Sequence, residues 1–317
     1  MCRKLSGHSL LLCLLIELAG CAALTDSQRK SVANYAKLTQ AYTQYPSEVA
    51  RTYVALNYEV ATLLIPVNQP VVTNIHTDLV NTFATFEQGN QNSQRVDDAI
   101  NILRQYAKAL EALSSADLPG VFGKNAELFG KSVDNAVTFY NKTHQPTTAL
   151  PIGFGKLAAD AISLAGRRYI NHKQAAALRN YMAKGEELIK LLNQDSQRAF
   201  TDLENRWQQQ KRLMAASHTT LLQKVHEDAG GQAARNYYTY QINKDMRTLI
   251  ERSAAFDKLL TKTAQAMGNV YKAHESVLKD IQQKRPWHDR IADVQNLYED
   301  LTALEAQHEK LTRPATH

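Results

Sequence analysis

The chain has few residues that break helices and few that could cross-link it. Thirteen glycines and eight prolines are few for 317 residues, and they fall at a handful of positions. Because turns depend on these two residues, their scarcity favours long uninterrupted helices over a β fold with many turns. No cysteine follows Cys21, so the chain from that point on cannot form an internal disulfide. Packing alone must then stabilise it.

The chain also lacks the usual signatures of catalysis. It contains no nucleophile elbow, no phosphate-binding glycine loop and no dinucleotide fingerprint. His218 and His226 are separated by about 12 Å along a helix, which is too far to share a metal ion. The basic residues are scattered among acidic ones at a formal net charge of +6, without the basic stripe that nucleic-acid binding needs. We therefore expect no enzymatic activity, no metal or other cofactor and no nucleic-acid partner.

The longest pattern in the chain covers residues 171–285 and has a single break, at Gly230-Gly231. On each side of that break, apolar or small residues recur three and four positions apart, which places one stripe on one side of a helix. No proline interrupts either arm before Pro286. We predict two helices of about 50 residues, each about 75–80 Å long, that fold back on each other as a long antiparallel hairpin.

Each arm of this hairpin has a predicted buried seam. The seam of the first arm consists of Leu178, Met182, Gly185, Ile189, Leu192, Ser196, Ala199, Leu203, Trp207, Gln210, Met214, Ser217, Leu221 and Val225. The seam of the second arm consists of Tyr238, Ile242, Met246, Leu249, Ser253, Phe256, Leu260, Thr263, Met267, Val270, His274, Val277 and Ile281. Helices this long cannot bury a whole seam within a compact body, so other helices must lie along them. The predicted fold is therefore all-α, an elongated multi-helix bundle.

The rest of the chain divides at proline- and glycine-containing breaks into shorter predicted helices. Their predicted bounds are Leu24–Gln44, Glu48–Leu64, Val71–Gln88, Arg95–Leu113, Phe122–Lys142 and Trp287–Leu311. Asp26 is the predicted N-cap of the first helix. The polar run Gly89–Ser93 predicts a turn that makes its two flanking helices antiparallel neighbours. Residues 21–145 thus hold the N-terminal helices, and residues 286–317 hold a last helix and a tail.

Residues 146–170 form an apolar connector between these helices and the hairpin. Between positions 146 and 166, only Lys156 and Asp160 carry a charge. Three interpretations remain: a short buried helix that plugs one end of the bundle, a contact surface for a partner or ligand, or a membrane-inserting tip. Each central charge opposes insertion by about 2.5–3.5 kcal/mol, which disfavours a stable span. Ile152 and Phe154 are the candidate partner or membrane contacts in this segment.

Tyrosine is the enriched aromatic residue, and three tyrosines follow the hairpin turn closely: Tyr237, Tyr238 and Tyr240. A tyrosine ring tolerates both apolar contact and water, so an exposed cluster suits a recognition surface. The competing interpretation is that these rings pack against the first arm near Leu221 and Leu222. We favour packing, and keep the three tyrosines as candidate partner contacts.

The N-terminus has the pattern of an export signal. Arg3 and Lys4 precede an apolar run from Leu10 to Ile16, which is too short to cross a bilayer. The next residues, Leu18-Ala19-Gly20-Cys21, resemble the lipobox of bacterial lipoproteins. The resemblance implies that a signal peptide of residues 1–20 is removed and that Cys21 receives acyl chains, including palmitate. Ala22, where some lipoproteins carry aspartate, implies delivery to the outer membrane of a Gram-negative bacterium.

These patterns predict a lipid-anchored envelope protein with a structural or protein-interaction role, as a scaffold or adaptor. Its acyl chains bind the membrane, its partner is another envelope protein, and the periplasmic face is favoured over the cell surface. The alternative is a helical pore-forming or membrane-remodelling protein that acts through residues 146–168. A carrier of an apolar ligand would instead show a large enclosed cavity lined by leucine and tyrosine.

Overall fold

A computed structural model describes residues 24–68, 75–115, 123–162, 170–228, 230–283 and 291–312. Within those ranges the chain forms eight α-helices and no strand, which confirms the all-α prediction. In chain order the helices are α1 (Asp26–Tyr42), α2 (Tyr45–Asn68), α3 (Ile75–Ser114), α4 (Gly123–His144), α5 (Phe154–Ile162), α6 (Ile170–Asp228), α7 (Gln232–Gln283) and α8 (Ile291–Thr312).

The predicted hairpin is confirmed as α6 and α7, which contain 59 and 52 residues. At 1.5 Å per residue these helices are about 88 and 78 Å long. The hydrogen bonds that connect the arms in antiparallel register include Arg179 Nε to the Ile281 carbonyl (2.7 Å), Gln197 Nε2 to the Ala264 carbonyl (2.7 Å), and His218 Nε2 to Asn243 Oδ1 (3.0 Å). The turn falls at the predicted glycines, and Gly231 takes a φ of +156° that glycine adopts without strain.

Most of the predicted seam is buried, from Leu178 to Ser217 on α6 and from Met246 to Ile281 on α7. The prediction for Ala199 is wrong: it is exposed, and its neighbour Phe200 is buried instead. Consecutive residues lie 100° apart around a helix, so a small rotation of the buried face exchanges one for the other. Here the face also meets α2 and α3, which lie along α6.

The N-cap of the first helix lies one residue earlier than predicted. Thr25, with the extended backbone of an N-cap, accepts a hydrogen bond on Oγ1 from the Gln28 amide (3.1 Å). Gln28 Oε1 accepts one in return from the Thr25 amide (3.1 Å), which completes a capping box. Asp26 therefore lies in the first turn, where it pairs with Arg29. The prediction of Asp26 as the N-cap is wrong because Thr25 already satisfies the free amides.

The predicted turn at Gly89–Ser93 is also wrong, because α3 continues through it without interruption. Glycine, asparagine and serine each oppose a helix by about 1 kcal/mol or less, whereas a proline opposes it by about 3 kcal/mol. Without a proline the segment stays helical, and α3 then packs against α1, α2, α4 and α6. The two predicted helices on either side of Gly89–Ser93 are therefore two halves of one helix and not antiparallel neighbours.

One hydrophobic cluster joins these helices, from Leu24 in the N-terminal segment to Leu304 on α8. At its centre the rings of Tyr35 (α1), Tyr106 (α3), Tyr181 (α6) and His274 (α7) meet. The hairpin and the N-terminal helices therefore share one core.

Candidate functional site

The far end of the hairpin extends beyond the shared core. The last buried residues of the two arms are Ser217 on α6 and Met246 on α7. Between them, none of the residues whose burial the structure describes is buried. We call residues 218–245 the hairpin tip. It consists of two helices that pack only along the hairpin seam, so most of its surface faces solvent.

The hairpin tip carries the three candidate tyrosines on its surface. Tyr237, Tyr238 and Tyr240 are 60%, 52% and 63% exposed. The rings of Tyr237 and Tyr238 contact each other edge to face, with centroids 5.5 Å apart. The favoured interpretation, packing against the first arm, is therefore wrong, and so is the seam position predicted for Tyr238. The opposing Leu221 and Leu222 are themselves only half-buried.

The two candidate contacts in the connector differ in exposure. Ile152 is 57% exposed, whereas Phe154 is fully buried at the start of α5. The surface contact predicted for Phe154 therefore does not agree with its position. Its ring packs between Tyr106 and Tyr181, at centroid distances of 5.9 and 5.3 Å. Of the three interpretations of the connector, the described part fits a short buried helix.

Two side chains of α4 hold the connector in place. Asp134 Oδ1 accepts hydrogen bonds from the amides of Gly153 (2.6 Å) and Phe154 (2.8 Å), and Oδ2 accepts one from Gly155 (2.8 Å). Asn141 exchanges two hydrogen bonds with the backbone of Leu150, at 2.9 and 3.0 Å. Asp134 thus satisfies the free amides at the N-terminus of α5, where a negative charge is also favoured. No sequence spacing predicted this cap, because Asp134 lies about twenty residues before the amides that it binds and meets them only when the two helices pack.

A buried polar group lies at the centre of the bundle. His274 Nε2 and Tyr106 Oη form a hydrogen bond of 2.7 Å, and both side chains are fully buried. Burial lowers the pKa of His274 from 6.5 to about 3, so the imidazole is neutral at physiological pH. Burial also raises the pKa of Tyr106 and of Tyr181 well above 10. The hydrogen bond joins α3 to α7, and the ring of Tyr181 on α6 stacks on Tyr106 with centroids 5.3 Å apart.

The first described residues of the chain lie at the opposite end of the hairpin from its tip. Cys21, the predicted acylation site, is outside the described residues, which begin with the buried Leu24. A few residues later, Gln28 Nε2 donates hydrogen bonds to the Asp280 carbonyl (2.9 Å) and to Asp280 Oδ1 (3.3 Å). Asp280 is near the end of α7, whereas Gln232 begins it at the hairpin turn. The helix between them is about 72 Å long.

Two further observations concern ligands and membranes. Among the described residues, no group of three or more histidine, cysteine, aspartate or glutamate side chains is placed to hold a metal ion. Nor does any described helix combine the length and hydrophobicity that a membrane span requires. Comparison with protein-family models, with curated proteins and with solved structures finds no match to this chain.

Proposed function

We propose that this chain is a lipid-anchored protein of the Gram-negative outer membrane, with a non-catalytic scaffold or adaptor role. Acyl chains on Cys21 bind the membrane, and the hairpin tip binds an envelope protein on the periplasmic side. The tip then holds its partner about 70 Å from the anchored end. The chain acts as a spacer with a recognition surface at its far end.

The observation that carries this proposal is that the first described residues and the hairpin tip lie at opposite ends of the hairpin. Gln28, seven residues after Cys21, lies against Asp280 near the end of α7 that is remote from the glycine turn. The only described cluster of three exposed aromatic side chains within one helical turn lies at the opposite end, at Tyr237, Tyr238 and Tyr240. Tyrosine is enriched in the energetic centres of protein interfaces. A membrane anchor at one end and an exposed aromatic surface at the other suit a protein that holds its partner at a distance. They do not suit one that encloses a ligand in a compact pocket.

Photocrosslinking in cells tests the recognition surface. A photoreactive phenylalanine replaces Tyr237 or Tyr240 in one set of variants and Tyr298, which is 55% exposed on α8, in a matched control. We expect one discrete adduct from both tip positions and none from the control. Equal adducts from all three positions, or none from the tip, would reject this surface.

A second experiment tests the anchor. Radiolabelled palmitate should enter the wild-type protein and not the Cys21→Ala variant, which should also leave the membrane fraction. Labelling that persists in the variant would reject the anchor at Cys21 and leave the tip assignment to be decided by crosslinking.

The pore-forming alternative requires the connector to leave the bundle. Five hydrogen bonds to Asp134 and Asn141 oppose that movement, as does the burial of Phe154. We therefore expect the full chain to release no dye from vesicles of phosphatidylethanolamine and phosphatidylglycerol. Leakage that disappears on Ile152→Glu would support the alternative over the scaffold role.

A further inference from the structure

A groove of about 310 Å³ lies beside the hairpin, within the seam region and away from the tip. Its walls come from the first turns of α2, the middle of α3, the end of α4 with the loop that follows, and the middle of α6. It is open to solvent along one side, unlike the enclosed cavity expected of a carrier. Its volume is at the lower end of the range for small-molecule sites, about 300–1,000 Å³.

The floor of the groove is apolar. Val49, Ile100, Tyr140 and Phe200 line it, and each is at least 95% buried. They come from four different helices, so the floor exists only in the assembled bundle. A hydrocarbon chain laid on this floor would remove apolar surface from water, which stabilises the bound state by about 25 cal/mol per Å².

The rim of the groove is charged, and arginine is in excess. Arg95, Arg198 and Arg206 line it, against Asp195 and Asp202. Arg198 is paired with Asp195 at 3.7 Å.

The other two arginines have no carboxylate partner among the described residues. Arg95 Nε donates to Tyr140 Oη at 3.5 Å, which places this guanidinium at the edge of the floor. Arg206 lies close enough to Tyr53, another lining residue, for its positive charge to oppose the rise in the pKa of Tyr53 caused by burial. A guanidinium without a carboxylate partner suits an incoming carboxylate, to which it donates two parallel hydrogen bonds.

We propose that this groove binds a fatty acid, with its hydrocarbon chain on the apolar floor and its carboxylate at Arg95 and Arg206. A single chain fits the small volume better than a two-chain lipid. The charge excess selects an anionic head over a neutral one. This site is independent of the hairpin tip and of the partner proposed for it.

Photolabelling of the full-length protein in nanodiscs tests the site. Palmitic acid that carries a diazirine is the probe, and hexadecanol with the same diazirine is the uncharged control. We expect the acid to label peptides that contain residues 46–53, 95–100 and 195–206, and unlabelled palmitate to suppress that labelling. Equal labelling of these peptides by the alcohol, or labelling by the acid only at other peptides, would overturn the proposal.

Two pairs of variants refine the test. Arg95→Gln with Arg206→Gln should weaken competition by palmitate about tenfold, because charged hydrogen bonds to the head group are lost. Arg212→Gln with Arg247→Gln, which changes two exposed arginines on the distal hairpin, should leave competition unchanged. Equal competition in both double variants would overturn the assignment of the head group.

Ala99→Phe fills the groove, and Ala136→Phe is its control in a separate polar cleft between α3 and α4. Labelling should disappear in the first and persist in the second, with helical content checked by circular dichroism. Persistent labelling in a folded Ala99→Phe protein would overturn the proposal. If Ala99→Phe does not fold, the comparison of the two double arginine variants tests the proposal by itself.

Discussion

The Tyr106 hydroxyl occupies the space that a side chain at position 185 would need. A Cβ atom on Gly185 would lie 2.0 Å from Tyr106 Oη and 2.4 Å from Cζ. Tyr106 is itself fixed by its 2.7 Å hydrogen bond to His274. The packing of Tyr106 from α3 against α6 therefore requires a residue without a side chain at position 185, and this packing places the Tyr106 hydroxyl for its hydrogen bond to His274 on α7.

The first prediction concerns this contact. Gly185→Ala should destabilise the protein by about 1–3 kcal/mol, because an extra methyl group in a packed core displaces Tyr106. Gly268→Ala is the matched control, since a Cβ there would meet only Gln197 Nε2, at 3.9 Å. The control should be neutral or stabilise the helix by up to about 1 kcal/mol. Urea unfolding followed by circular dichroism measures both, and equal stability of the two variants would contradict the contact.

The second prediction concerns pH. The pKa of His274 is about 3 in the folded protein, against 6.5 for the unperturbed side chain, so the unfolded chain binds more protons between these values. The stability contributed by neutral His274 is fully present above pH 6.5 and decreases as the pH falls towards 3. The loss is about 2 kcal/mol at pH 5 and about 4 kcal/mol at pH 3.

Urea unfolding at pH 7 and pH 5 measures this dependence. His274→Gln should lower stability at both pH values but remove about 2 kcal/mol of the difference between them. His226→Gln, on the exposed tip, should leave the difference unchanged. An unaltered difference in His274→Gln would show that another group titrates.

The third prediction concerns the cap on α5. Asp134→Asn should destabilise the protein by about 1–2 kcal/mol, because the amide group retains one acceptor oxygen for three backbone amides. Asp160→Asn is the control, since Asp160 is exposed near the end of the same short helix. Hydrogen exchange at Phe154 and Gly155 should accelerate only in the first variant. Unchanged protection there would mean that packing of Phe154 alone holds the connector.

The fourth prediction concerns the hairpin tip. Removal of seven residues from each arm, 219–225 and 236–242, takes out two helical turns per arm and leaves the glycine turn in place. Thermal unfolding should change little, because none of the removed residues is buried. Co-purification of the partner after mild chemical crosslinking, which needs no photoreactive residue in the tip, should be lost. Retained capture of the partner by the shortened protein would reject the tip, and loss of folding would show that the tip stabilises the bundle.

Several features of the fold could be predicted because they are local. The spacing of Leu178, Met182 and Trp207 along the chain is enough to place them on one face of a helix, whatever lies beside it. The position of the glycines likewise predicts the hairpin turn. The turn predicted at Gly89–Ser93 failed because polar residues permit a loop but do not require one, and helix α3 gains contacts with its neighbours by continuing.

The residues of the candidate site were harder to predict from the sequence. Tyr237 and Tyr238 look the same in sequence as tyrosines that pack in a core, and Phe154 looks the same as an exposed apolar residue. Their exposure depends on which helices lie alongside, and Asp134 gives no local sign that it caps a helix about twenty residues later.

By itself, the sequence determined the helices, the long hairpin and the lipobox resemblance, because helical periodicity and a signal motif are properties of neighbouring residues. Only the tertiary structure decided where the buried seam ends, that Phe154 lies inside while the three tyrosines lie outside, and that four helices form an arginine-rimmed groove. Burial and charge pairing depend on distances between residues far apart in the chain, and those distances exist only once the helices have packed.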